Sequence, residues 1–137
     1  MSWLKISGMV LAMLLLLMSF AHAFLGWPMV QAGLEQAGVA RGSEGWNDAA
    51  ASWIFGSMCM FVFGVIFAST ALSLYKRQTN VLPIAAIGIG LLAFGIGGCL
   101  LIHVGSHFIG FALIGSIVLV WAYAAHRADV PRNVDRE

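Results

Sequence analysis

Charged residues are confined to a few short stretches, and the long apolar segments between them are the strongest pattern in the chain. No Asp, Glu, Lys or Arg occurs from Ile6 to Leu34, from Ala49 to Tyr75, or from Gln78 to His126. A membrane-crossing helix needs about 20 apolar residues, so the first two segments hold one crossing each. The third, drawn as one helix, would extend about 73 Å at 1.5 Å per residue, against a hydrocarbon core of roughly 30 Å. It has to turn back. Its polar break is His103-Val104-Gly105-Ser106-His107, where Gly105 permits the turn. The pattern predicts an all-α integral membrane protein, a single membrane domain with four transmembrane helices in an up-down bundle. The expected spans cover about residues 6–26, 49–74, 82–103 and 107–126. An outer loop over 27–48 and a tail over 127–137 complete it.

Boundary residues refine these limits. Pro83 falls in a first helical turn, where its missing N–H costs little. Asn47 and Asp48 suit the N-cap of the second span and the positive end of its dipole. Trp27, Trp46, Trp121 and Tyr123 lie near span ends, where amphipathic rings favour the membrane interface. Pro28 is expected to end the first helix. Residues 29–38, with Met29, Val30, Gly33 and Leu34 among Gln31, Glu35 and Gln36, fit either a short amphipathic surface helix or an ordinary loop.

Composition agrees with the pattern. The chain is 61% hydrophobic and 9% charged, whereas a soluble domain averages about 45–50% and 25%. Mean hydropathy is +0.91. A soluble fold of this length has too few polar groups to cover such a surface, so the lipid bilayer is the expected partner. Net charge is +1 with no basic run that could follow a phosphate backbone, which excludes nucleic-acid binding. Two cysteines, Cys59 and Cys99, are too few for a disulfide scaffold or a structural zinc site.

Charge also predicts orientation. Lys5, Lys76, Arg77, Arg127, Arg132 and Arg136 fall on one side of a four-span chain and Arg41 alone on the other. The positive-inside rule then puts both termini in the cytoplasm and makes this a multi-pass protein of the bacterial inner membrane. Ala21-His22-Ala23 also matches a signal-peptidase pattern, which would leave three spans. The apolar run continues past it through Phe24, Leu25 and Trp27, which favours a retained helix.

Candidate chemistry is sparse. His22, His103 and His107 approach the outer face on the four-span reading. They are the cofactor-binding candidates, able in principle to ligate haem b or relay protons. The alternative reading is that they are interfacial polar residues at helix ends. His126 reads as a helix C-terminal cap. The methionines form no tight array in a loop and read as packing. Small residues mark helix contacts: Ser52, Gly56 and Gly64 in the second span, Gly95, Gly97 and Gly98 in the third, and Gly110 in the fourth. In lipid such residues let backbones approach closely. No span carries an ionisable Asp, Glu, Lys or Arg, and there is no C-x-x-C, H-E-x-x-H or phosphate loop, so no catalytic residue and no metal site is assigned. Small multidrug-resistance transporters are similar in length and span number, but their first-span Glu has no counterpart here.

The stretch His22-Ala23-Phe24-Leu25-Gly26-Trp27-Pro28, followed by Gly33, Leu34 and Gly38 and extending to Trp53-x-x-Gly56-Ser57, resembles a group of small uncharacterised four-helix bacterial inner-membrane proteins. In these an L-G-W-P stretch follows the first span. The likeness implies four helices with the first retained and carries no activity. A looser likeness to four-helix families of the DoxX type rests on span count and transfers no residues. Three functions follow as expectations. The first is a non-enzymatic structural or accessory subunit, with no cofactor, that associates as a homo-oligomer or within a larger membrane complex. The second is a haem- or quinone-binding redox bundle. The third is a small oligomeric transporter.

Overall fold

The computed structural model describes residues 3–74, 80–101 and 106–134. Those residues are helical throughout, apart from the connections, and contain no strand. Helix α1 (Trp3–Phe20) runs into a π-helical turn (Ala21–Gly26) and on into α2 (Trp27–Gln36). After a loop come α3 (Glu44–Ser73), α4 (Leu82–Leu101) and α5 (Ser106–Val134). Four helical stretches are long and apolar enough to cross a membrane: Trp3–Gln36, Glu44–Ser73, Leu82–Leu101 and His107–Ala128. The protein is thus an all-α, multi-pass membrane protein.

Several boundaries differ from the sequence reading. Pro28 does not end the first helix. The helix continues to Gln36, 34 residues in all, because the wide π turn just before Pro28 accommodates a ring that would collide with the preceding turn of a regular helix. Residues 27–36 are therefore helix rather than loop. Gly38 then stops the chain in the left-handed region at φ 77°. The Val39 N–H donates to Leu34 O at 2.9 Å and the Gly38 N–H to Glu35 O at 3.0 Å, the bond pair of a Schellman motif. Helix α3 begins at Glu44, ahead of the Asn47-Asp48 pair, and its N-cap is Ser43, whose Oγ accepts from the Trp46 N–H at 3.4 Å. At α4 the sequence reading holds. Pro83 sits in the first turn, and Asn80 Oδ1 accepts the Leu82 N–H at 3.0 Å. Helix α5 runs past His126 to Val134, so the tail is mostly helical and His126 lies within a helix rather than at its end. The break between α4 and α5 falls outside the described residues.

The chain divides into two compact units, Met1–Leu11 with Ile66–Glu137, and Ala12–Val65. In the first, α4 and α5 pack antiparallel on glycines. A Cβ built on Gly115 would lie 2.5 Å from Leu92 N and 2.8 Å from Gly88 O, and one on Gly95 would collide with the backbone at Phe108 and Ala112. Backbone meets backbone here, as packing in lipid favours when no hydrophobic force separates helix from solvent. Gly98 leaves the space that the Phe108 ring fills, and Phe108 in turn packs on Phe94 at 5.6 Å. The other end of this unit is organised by Trp121, which is 5% exposed. Its indole lies 4.7 Å from the Phe67 ring and against Gly8, where a Cβ would come within 2.6 Å of it. Trp121 therefore turns inward as a core residue instead of facing the surroundings. Its N–H finds a carbonyl partner inside the protein, so burial costs it nothing in hydrogen bonding.

The second unit is an antiparallel hairpin of the α1–α2 stretch on α3. Leu16 covers Gly64, where a Cβ would lie 3.2 Å from Leu16 N. Phe20 meets Phe61 edge-on at 6.3 Å. At the loop end Trp46 is buried edge-on against Trp27 at 6.0 Å. Arg41 lies over the Trp46 ring at 5.6 Å and pairs with Glu35 at 2.6 Å.

Candidate functional site

The one polar cluster that the described residues form within the apolar part of a span lies in the second unit, where the π turn meets α3. Ser19 and His22 are three apart and share a face of the first helix. Trp53 and Ser57 are four apart and share a face of α3. The antiparallel pairing brings the two faces together. His22 stacks on the Trp53 indole with ring centroids 3.8 Å apart and planes within 10°. His22 Nδ1 lies 2.8 Å from Ser57 Oγ. The Ser57 hydroxyl donates to Trp53 O at 3.0 Å, and the Ser19 hydroxyl donates to Ser57 O at 2.8 Å. The Trp53 Nε1–H donates to His22 O at 2.7 Å.

Two glycines make this approach possible. A Cβ on Gly26 would sit 2.5 Å from the Trp53 ring, and one on Gly56 would sit 3.7 Å from His22 Cε1. Gly26 therefore admits the indole, and Gly56 leaves room for the imidazole. The Trp53 bond gives the π turn a donor from another helix. Pro28 supplies no N–H, so the nearby carbonyl of Phe24 or Ala23 receives no helical bond from it, and the turn is weakened beside the His22 carbonyl that Trp53 reaches. A polar group in hydrocarbon must be satisfied within the protein, and the indole supplies an external donor.

The Ser57 hydroxyl lies within bonding distance of both His22 Nδ1 and Trp53 O and so links the imidazole to the α3 backbone. Three of these bonds cross between helices, and each contributes about 0.5–1.5 kcal/mol in a membrane protein. Ser19 and Ser57 are both buried, and among the described residues no buried side-chain polar atom lacks a partner.

The other residues singled out from sequence lie elsewhere. His103 is outside the described residues. His107 belongs to the other unit, exposed in the first turn of α5 with its ring 3.9 Å from that of Phe108. Among the described residues no group of three or more His, Cys, Asp or Glu gathers as a metal cage would require. Of the packing set, Gly64, Gly95 and Gly98 lie against neighbouring helices, and Gly56 faces His22. A Cβ on Gly97 or Gly110 meets nothing within 4 Å among the described residues. Gly97 points away from the α4 face that carries Gly88, Gly95 and Gly98, since successive helical residues are turned by about 100°. Ser52 is exposed and takes no part in packing. Sequence reasoning missed Ser19, Trp53 and Ser57 as partners of His22. The available signal was their spacing, three and four apart, on two consecutive apolar helices.

Comparison with protein-family models, with curated proteins and with solved structures finds no match.

Proposed function

We propose that this chain is a small inner-membrane protein with a non-enzymatic role, a structural or accessory subunit with both termini in the cytoplasm. The observation that carries this reading is the inward direction of the hydrogen-bond donors around His22. Its hydroxyls and indole N–H are directed to backbone carbonyls of the same two helices. A network of this kind ties helices together and specifies their register. Large apolar side chains are exposed along the spans, among them Leu17, Phe55, Ile89 and Val120, as a lipid-facing surface requires. Association with a second copy or a larger membrane complex is part of the same proposal. It draws support from Gly90 and Gly97 of α4, where a Cβ would meet nothing within 4 Å among the described residues.

One observation favours a second reading, the haem-binding bundle. His22 Nδ1 is held by Ser57, which orients the ring in the way that outer hydrogen bonds orient ligating histidines. Absorbance of the protein purified in mild detergent separates the two. The structural reading expects no Soret band, before or after addition of hemin. A Soret band that disappears in His22→Ala would replace it with the redox reading.

A further inference from the structure

The π turn carries an inference of its own, independent of the functional reading above. The first helix has a built-in weak point between two well-formed stretches. Pro28 has no N–H, so the carbonyl it would have served receives no helical bond: that of Phe24 in α-helical register, or that of Ala23 in π register. None of the six residues of the π turn is buried, and none of α2 is buried either. Beyond the edge contact of Trp27 with Trp46, packing therefore does little to hold this part of the chain in line. It is held from the side, by α3. Trp53 donates to His22 O at 2.7 Å and stacks on the His22 ring at 3.8 Å, and Gly26 allows the indole to lie against the turn.

We propose that residues 21–26 are a hinge in the first helix, and that the Trp53 indole is the latch that keeps α2 in line with α1. With the bond made, the helix is continuous over Trp3–Gln36. With it broken, the turn loses its external donor beside a proline, the place where helices kink most readily. Helix α2, together with the Glu35–Arg41 pair at its end, then moves relative to α3.

The test uses the full chain in nanodiscs, with Cys59 and Cys99 replaced by Ser and spin labels attached at Ala32→Cys and Ala51→Cys, two exposed positions on α2 and α3. Label 32 lies about 8 residues beyond the hinge, an arm of roughly 12 Å, so a kink of 20–30° displaces it by about 5 Å. Trp53→Phe keeps an aromatic ring on His22 and removes the N–H. A second distance population about 5 Å from the first is expected in this variant. Adding Pro28→Ala, which supplies a helical N–H to the Phe24 or Ala23 carbonyl and so stiffens the same turn from within, should return a single population. An unchanged distribution in Trp53→Phe overturns the proposal. So does a broadened one that Pro28→Ala fails to narrow, because the loosening would then not centre on the proline. If Trp53→Phe does not fold, amide exchange on the unsubstituted protein decides. Faster exchange at Leu25–Val30 than at Ala12–Ser19 supports the hinge, and equal protection overturns it.

Discussion

The indole N–H of Trp121 donates to the carbonyl of Leu4 at 3.0 Å, joining residues 117 positions apart. The donor comes from the last helix and the acceptor from the first turn of α1, where Ser7 Oγ also bonds the same carbonyl. A contact of such sequence separation closes the first unit, and it is made by a ring buried in the core rather than one exposed on the helix surface. Trp121→Phe should therefore destabilise the protein by about 1 kcal/mol, the cost of one interhelical hydrogen bond in lipid. Trp121→Ala should cost about 3–5 kcal/mol through the cavity it leaves. Thermal unfolding in detergent reads both, with Trp3→Phe as the exposed control. An equal response of Trp3 and Trp121 would contradict the core placement.

The two neighbouring glycines of α4 make a sharper contrast. Gly95→Leu drives a side chain into the backbone at Phe108 and Ala112, while Gly97→Leu enters open space. The first should lower the melting temperature strongly or prevent folding, since overpacking a tight contact costs at least about 1–3 kcal/mol. The second should leave melting unchanged and act, if at all, on association, as measured by cross-linking in membranes. Similar melting shifts for the two would refute the assigned face.

For the His22–Ser57 bond a double-mutant cycle is the appropriate measure. His22→Phe preserves ring stacking on Trp53 and removes Nδ1, and Ser57→Ala removes the hydroxyl. A coupling of about 0.5–1.5 kcal/mol is expected for one such bond between helices. Additive effects would mean that the two side chains do not interact in the membrane.

Ser43→Ala tests the revised start of α3. Loss of the N-cap should cost about 1 kcal/mol, whereas Asp48→Asn, a full turn inside the helix, should have little effect. The opposite order would restore the start of this helix to Asn47-Asp48.

Topology is read by labelling Ala40→Cys in spheroplasts, with the native cysteines replaced. Ala40 is exposed in the loop before α3, and the proposed topology, drawn from the bias of basic residues, expects that loop outside. Modification only after cell lysis would put the termini on the other side.

How far the chain could be read in advance follows from which signals are local. The sequence alone determined that this is a helical membrane protein with four crossings, because uninterrupted apolar length is a property of the chain itself. The same holds for Pro83 at the start of α4, a matter of one missing N–H. Tertiary structure decided whatever depends on a partner from another helix. Pro28 reads as a stop when taken alone. It is tolerated because a π turn widens the helix before it, and Trp53 reaches across from α3 to brace that turn at His22 O. Trp121 reads as an interfacial ring, yet Gly8 and Ala71 leave a space for it and Leu4 offers an acceptor. Gly95 and Gly97 are equivalent by composition, and only the rotation of α4 against α5 separates the one that touches backbone from the one that touches nothing. In a bilayer every helix face is apolar, so hydrophobicity no longer distinguishes inside from outside. Close fit and individual hydrogen bonds then select the faces that meet, and neither is written in the order of residues along one helix.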